Sequence, residues 1–319
     1  MPKTNQNRWT LILNPHAGGG RGAKDKHQLE KLLKARGFQY ELLVSEYPKH
    51  AILLAKHAVE NGARQLIIAG GDGTLNEVVN GVLQQQKCSL NEIKIGMIPV
   101  GTGNDWIKTF GIPNNYRSAI NKLEEGKTFF QDVGKLTLSE NGETSYRYFS
   151  NMAGFGFDAL VAQKANAMKE KGRTGFLVYL QSLLMAYLQY KIRKVNISVD
   201  REQIEDLIFS VSVGIGKYNG GGMMQAPGAV PNNGIFEVTL IKKIGVWGIL
   251  TNLVGLYNGS YVKDSRVVCF KAEEVFISSQ KPLAGEVDGE SLGKSQFHIE
   301  ILPRKLQVIV GEILVTDNA

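Results

Sequence analysis

Three short runs in this 319-residue sequence place glycines beside acidic, amide or hydroxyl side chains directly after an apolar stretch. The most specific is Gly70-Gly71-Asp72-Gly73-Thr74-Leu75-Asn76-Glu77. Glycine lets backbone approach a ligand closely, Thr74 offers a hydroxyl, and a helix starting here would turn N–H groups and its positive dipole end toward an anion. An aspartate in a phosphate loop repels its ligand unless a cation stands between them, so Asp72 implies Mg²⁺, bound directly or through water. The plainer alternative is a strand-to-helix turn with Asp72 as helix cap, which leaves the glycines on both sides of it unexplained. A second run, Asn14-Pro15-His16-Ala17-Gly18-Gly19-Gly20-Arg21-Gly22, could cradle phosphate or serve as a flexible turn. It is not a Walker A loop, because no Gly-Lys-Ser/Thr closes it. The third run is Pro99-Val100-Gly101-Thr102-Gly103-Asn104-Asp105.

Carboxylates near the end of the chain suit a different task. Glu286, Asp288 and Glu290 alternate, and an extended segment would place all three on one face. One of them could take the proton of an attacking hydroxyl, as phosphoryl transfer requires. Without the glycine loops they would read as a solvated acidic strand edge. A competing signal, Gly154-Phe155-Gly156-Phe157-Asp158-Ala159, fits the dinucleotide pattern Gly-x-Gly-x-x-Ala. The acidic residue that should end a second strand about 20 residues later is missing, so that reading is set aside. His16, His27, His50, His57 and His298 are scattered without metal-ligand spacing, and Cys88 and Cys269 read as free thiols in a reducing compartment.

The elements that must position these residues follow from hydrophobic periodicity. Apolar runs at 9–13, 40–44, 66–69 and 93–98 predict buried strands, and amphipathic segments at 24–35, 51–60 and 75–83 predict helices between them. This alternation implies a parallel sheet wrapped by helices, with all three glycine runs beyond strand ends at one crevice. The pattern changes near Phe129. Strands at 135–138 and 145–151 flank the hairpin signal Asn141-Gly142, and further strands are predicted at 195–199, 208–213, 236–241, 267–270, 275–277, 297–301 and 306–310. Helices are predicted at 176–190 and 246–257. The apolar helix at 176–190 could shape an acyl-chain pocket or touch a membrane, although its polar interruptions also suit plain packing.

Composition sets the outer bounds. With 43% hydrophobic and 21% charged residues the chain can bury a core and is not disordered. A net charge of +7 suits an anionic partner such as a nucleotide or a phospholipid surface; no polybasic block stands out, and no nucleic-acid partner is expected. The beginning, Met1-Pro2-Lys3, carries no signal-peptide pattern, and the longest apolar stretch is too short to span a bilayer, so a cytoplasmic protein is expected.

Taken together, the three glycine runs with Asp132-Val133-Gly134, Asn151-Met152-Ala153-Gly154-Phe155-Gly156, the loop at 220–227 and Asp288-Gly289-Glu290 resemble the diacylglycerol kinase catalytic-domain family, which includes the sphingosine and ceramide kinases. The resemblance covers nearly the whole chain; its Gly-Gly-Asp-Gly-Thr element alone is shared with NAD kinases. It implies a doubly wound, NAD-kinase-like α/β domain at 1–134 and a mainly antiparallel β-sandwich domain at 135–319, whose last strand could return to the first, with a nucleotide cleft between them. It implies ATP contacts from Asn14, Gly18, Ser45, Gly70, Gly71, Asp72, Gly73, Thr74, Leu75, Asn76 and Thr102; Ser45 stands where the family usually has Thr. It implies Mg²⁺ held through water by Asp72, Asp105 and Asp132, and a proton acceptor at Asp288 or Glu290. The activity implied is phosphorylation of a lipid hydroxyl, diacylglycerol or a relative, in phospholipid metabolism at a membrane surface. The alternatives are a kinase of a soluble acceptor such as NAD or a sugar phosphate, and a nucleotide-binding protein without turnover. A homodimer is left open. Bacterial relatives carry a further structural Mg²⁺ in the second domain, on an Asp before a Gly. Here Asn233 takes that place, so the loop is expected to be held by hydrogen bonds of Asn233 instead.

Overall fold

The computed structural model describes residues 8–140, 143–170 and 176–313. The chain divides into two compact units, one of residues 1–131 with 304–319 and one of residues 132–303. The first unit alternates β1 (Trp9–Leu13), α1 (Ala17–Ala35), β2 (Tyr40–Val44), α2 (His50–Glu60), β3 (Gln65–Gly70), α3 (Asp72–Gln84), β4 (Lys94–Pro99), α4 (Asp105–Thr109) and α5 (Tyr116–Glu125). β1 pairs in parallel with β2 and β3, and β3 with β4; Leu11 stands opposite both Leu42 and Ile67. The strand order is β2-β1-β3-β4. The chain therefore reverses its direction of growth between β1 and β3, where the carboxyl ends of an open sheet offer a crevice.

The apolar runs explain the layering. β1 is buried along its whole length, as a parallel strand covered on both faces must be. Leu11, Leu13, Ile67, Ala69 and Ile98 point to one face and pack with Leu29 and Leu33 of α1 and Ile120 and Leu123 of α5. α2 and α3 pack against each other, with α2 on β1 and α3 on β3. Their close approach depends on Gly81, where a Cβ would stand 2.3 Å from the carbonyl oxygen of Ile52. α5 escaped the sequence reading, although Asn115 caps it by accepting from the Ser118 N–H at 2.9 Å and Gly126 ends it at φ 67.

β5 (Thr128–Glu140) leads into the second unit, which continues with β6 (Glu143–Phe149), β7 (Met152–Gly156), α6 (Phe157–Glu170), α7 (Phe176–Gln189), β8 (Arg193–Val199), β9 (Glu202–Gly214), β10 (Phe236–Lys242), α8 (Val246–Asn258), β11 (Val267–Ala272), β12 (Glu274–Ser278), β13 (Leu283–Val287) and β14 (Glu290–Ile309). The pairings of β7 through β13 with their neighbours are antiparallel. Phe149, Phe155, Val211, Val213, Phe236 and Phe297 form the centre of the core. The turn signal Asn141-Gly142 lies outside the described residues; the strands on either side pair antiparallel, Glu140 opposite Glu143. The strands expected at 297–301 and 306–310 are one continuous strand, β14. The backbone passes Pro303 with a single positive φ of 50° at Arg304. The end of β14 joins the first unit, pairing in parallel with β4 through Gln307 and Val308.

Candidate active site

In the first unit the three glycine loops meet at the carboxyl edge of the sheet. The end of each strand is tied to its neighbour: Ser45 N donates to Leu13 O at 2.9 Å, Asn14 N to Ala69 O at 3.0 Å, and Val100 N to Gly70 O at 2.7 Å. Asn14 Nδ2 donates to Thr74 Oγ1 at 3.0 Å, joining the first loop to the second. Arg21, which sequence reasoning passed over, joins the first to the third by donating from Nη2 to Val100 O at 2.9 Å and Gly101 O at 2.8 Å. Gly18, Gly19 and Gly20 have φ of 63, 71 and 93°, so the regular turns of α1 begin only after them. At Gly18 a Cβ would stand 2.3 Å from Val100 O, so only glycine lets these loops close.

Asp72 does two things at once. It opens α3, whose first turn aims N–H groups at this edge. Its carboxylate also reaches the third loop, accepting from Asp105 N at Oδ2 and from Trp106 N at Oδ1, both at 3.1 Å. It thus caps α4, not the helix it belongs to. Asp105 is buried and pairs with Lys108 Nζ at 2.7 Å. A Cβ on Gly103 would lie 3.5 Å from Asp72 Oδ2 and 3.7 Å from Asp105 Oδ2, so both carboxylates face the same glycine. Beside them Asn104, held at φ 47, buries an Oδ1 that has no hydrogen-bond partner among the described residues. Such a set of hard oxygen donors fits Mg²⁺.

Other residues of the second loop serve the fold. The N–H of Leu75 donates to Gly71 O at 3.0 Å and its side chain is buried, so Leu75 offers a ligand neither group. Asn76 is buried and accepts from Asn80 Nδ2 at 3.2 Å. Glu77 caps α2, accepting from Lys49 N and Ala51 N, both at 3.0 Å. Thr102 is exposed in the third loop. A depression of about 540 Å³ at the opposite ends of β1 and β2, lined by Arg8, Glu30, Lys34 and Tyr40 among others, contains none of these residues.

The second unit places the remaining acids. Asp132 is fully buried and holds the 231–234 loop, its N–H donating to Pro231 O at 2.8 Å and its Oδ2 accepting from Gly234 N at 2.7 Å. Asn233 Oδ1 closes the same loop by accepting from Ile235 N at 3.1 Å. Asp288 and Gly289, with φ of 48 and 85°, form a two-residue turn between β13 and β14. Val287 therefore pairs with Glu290, and Glu286 with Ser291. This corrects the single acidic face expected from alternation: cross-strand partners share a face, so Glu286 and Glu290 project to opposite sides. Asp288 is buried, its Oδ1 accepting from Asn151 N and Met152 N and its Oδ2 from Ser150 N, each at 3.0 Å. Glu290 is exposed at the start of β14.

No sequence pattern singles out Glu286 as a buried acid. It is 1% exposed, accepts from Gly289 N at 2.7 Å and from Asn219 Nδ2 at 3.3 Å, and shares a pocket with Asp158. Gly154 makes room for both: a Cβ there would lie 2.6 Å from Glu286 Oε1 and 3.3 Å from Asp158 Cβ. Burial pushes the Glu286 carboxyl up to about 8, with the charges of Asp288 and Asp158 adding to the rise against the N–H of Gly289. Burial raises Asp158 as well, against the hydroxyl of Ser212, which donates to it at 3.1 Å. A carboxyl raised on folding binds its proton more tightly in the native state. Its contribution is full below its unfolded value and is lost as pH climbs through about 8. Glu286→Gln keeps the acceptor for Gly289 and removes the titration. In denaturant unfolding between pH 5 and 8, the wild type should lose stability relative to Glu286→Gln by up to about 1.4 kcal/mol per pH unit. Parallel pH curves for the two proteins would show that Glu286 titrates normally.

Residues 8–136 match the diacylglycerol kinase catalytic domain, and residues 151–310 match the YegS C-terminal NAD kinase beta sandwich-like domain. The chain belongs to the diacylglycerol kinase catalytic-domain family. Diacylglycerol kinase of Staphylococcus aureus is 28% identical over 316 residues, covering 98% of this chain and 96% of that one. Diacylglycerol kinase of Staphylococcus carnosus is 26% identical, covering 94% of each. The crystal structure of a diacylglycerol kinase from Bacillus anthracis str. Sterne shares the fold, with a TM-score of 0.70, 22% identity and coverage of 98% of this chain and all of that one. Family membership gives the N-terminal α/β unit and the β-rich C-terminal unit as a kinase scaffold. No helix among the described residues is long and apolar enough to cross a membrane.

Proposed function

We propose that this protein is an ATP-dependent lipid kinase that transfers the γ-phosphoryl group of ATP to the hydroxyl of diacylglycerol or a closely related lipid. The observation that carries the reading is the meeting of three glycine loops around Asp72, Asp105 and the unpartnered oxygen of Asn104. Phosphate needs close backbone and N–H groups, and carboxylates tolerate phosphate only across a cation. The names of the Staphylococcus relatives support diacylglycerol as the acceptor.

In this reading Asn14, Gly18, Ser45, Thr102 and the start of α3 bind and orient the nucleotide. Mg²⁺, when bound, supplies charge neutralisation at the phosphates; Asp72 and Asp105 would hold it through water. The lipid hydroxyl oxygen forms a bond to the γ-phosphorus while the bond from that phosphorus to the β–γ bridging oxygen breaks and ADP leaves. Glu290, exposed beside the turn, accepts the hydroxyl proton. Asp288 positions it, because its three backbone hydrogen bonds fix the turn from which Glu290 projects.

ADP release tests the acceptor class. With Mg²⁺ and ATP present, ADP should form on adding diacylglycerol in mixed micelles and stop when Mg²⁺ is chelated. ADP formed with NAD or fructose 6-phosphate, and not with any lipid, would move the protein to the soluble-acceptor kinases.

A further inference from the structure

Helix α7 turns an apolar stripe outward. Gln181, Leu184, Met185 and Leu188 recur at intervals of three and four and so share one side of the helix. Leu184 is 57% exposed, Met185 41% and Leu188 77%. The inward side holds Ala186 and a fully buried serine, Ser182, whose hydroxyl donates to Met168 Sδ at 3.6 Å. A helix that faces water normally shows the reverse arrangement. α8 repeats the feature, with Val254 75% and Tyr257 41% exposed, three residues apart. The two helices are anchored on one apolar cluster, α7 through Ala186 and α8 through Ile249, against Phe157 and Phe209.

Charge identifies what such a surface meets. Residues 161–194, which include α7, carry Lys164, Lys169, Lys171, Arg173, Lys191, Arg193 and Lys194 against the single acid Glu170. Nearly the whole positive excess of a chain whose net charge is +7 therefore lies in the sequence around this one apolar helix. The basic residues are spread on both sides of it, so no contiguous block appears. Lys191 follows α7 directly and is exposed, and Lys243, also exposed, stands just ahead of α8. Apolar side chains flanked by cations are what an anionic bilayer surface receives: the side chains enter the acyl boundary while the ammonium groups stay with the head-group phosphates. A second copy of the chain would bring the same positive charge against itself.

We propose that the exposed side of α7, with Val254 and Tyr257 of α8, is the surface by which this protein docks on an anionic lipid bilayer. The proposal extends the lipid-kinase reading, since a kinase of a water-insoluble acceptor must work where that acceptor resides. It is tested on the full-length protein by co-sedimentation, without nucleotide, with vesicles of phosphatidylglycerol and phosphatidylcholine in equal parts. The wild type should bind these vesicles, bind phosphatidylcholine alone weakly, and release as salt is raised. Leu184→Gln/Leu188→Gln should partition at least about tenfold less, because two side chains no longer leave water, while its melting temperature stays unchanged. Leu53→Gln, at an exposed leucine of α2, should bind as the wild type does. Unaltered binding of the double variant, or no binding of the wild type, overturns the proposal. So does a wild-type dimer that the double variant converts to monomer, since the surface then serves a second copy.

Phosphoryl transfer to a short-chain diacylglycerol in free solution separates this proposal from the kinase reading. Transfer by both proteins without vesicle binding removes the docking surface and leaves the kinase. Vesicle binding lost in the double variant, with no transfer by either protein, removes the kinase and leaves the surface.

Discussion

Glu290→Gln should lower turnover by about 10²–10⁴-fold and leave both ATP binding and the unfolding midpoint unchanged. Glu290 is exposed, so exchanging its carboxylate for an amide disturbs no packing. Asp288→Asn should behave differently. Its carboxylate accepts three backbone N–H groups, from Ser150, Asn151 and Met152. An amide offers one acceptor oxygen and sets an NH₂ against the remaining donors, a cost of roughly 3 kcal/mol in stability. Asparagine tolerates the positive φ of 48° at this position, so backbone strain does not confuse the comparison. The expected pattern is a chemical defect with full stability for Glu290→Gln, and a stability defect that carries activity down with it for Asp288→Asn. Full turnover in Glu290→Gln would move the proton acceptor to another group.

Asp72→Ala should abolish detectable transfer and also destabilise the first unit by about 1–2 kcal/mol, because α4 loses the cap on Asp105 and Trp106. The two losses are separable. Asp72→Asn retains one acceptor oxygen for α4 but loses the charge, so its stability should lie between alanine and wild type. Its turnover should stay at least about 10²-fold down even at saturating Mg²⁺. Asp72→Asn with near-wild-type turnover would reduce Asp72 to a helix cap.

The capping role shows where the sequence stops being informative. Glycines on both sides of Asp72 point to a phosphate loop when the sequence is read alone, because a plain helix cap leaves them unexplained. That the same aspartate caps a helix more than thirty residues later depends on β3 and β4 lying side by side, which no local pattern states. Glu286 and Asp158 were illegible for the same reason. They lie 128 residues apart in the chain, and only the pairing of β13 with β7 brings them to Gly154. The Gly154-Phe155-Gly156 motif then acquires a plain explanation: its first glycine admits two carboxyl side chains, not a pyrophosphate. The misplaced face of Glu290 was avoidable. Asp288-Gly289 is the same class of hairpin signal as Asn141-Gly142, and reading it as extended chain overlooked the turn it dictates.

The apolar character of α7 and the basic residues that flank it show the opposite case. The residues were visible, yet the exposed side of the helix could be identified only once Ser182 and Ala186 were seen to face inward. Polar interruptions that looked like ordinary packing turn out to lie partly on the buried side.

Following the γ-phosphate itself separates lipid phosphorylation from the alternatives. The full-length protein is incubated with γ-labelled ATP, Mg²⁺ and diacylglycerol in mixed micelles, and the product is extracted into organic solvent and identified. Label is expected in the organic phase as phosphatidic acid, in amounts that fall with Glu290→Gln. Label that stays in water as inorganic phosphate, or that appears on a soluble acceptor while the lipid remains unmodified, would contradict it.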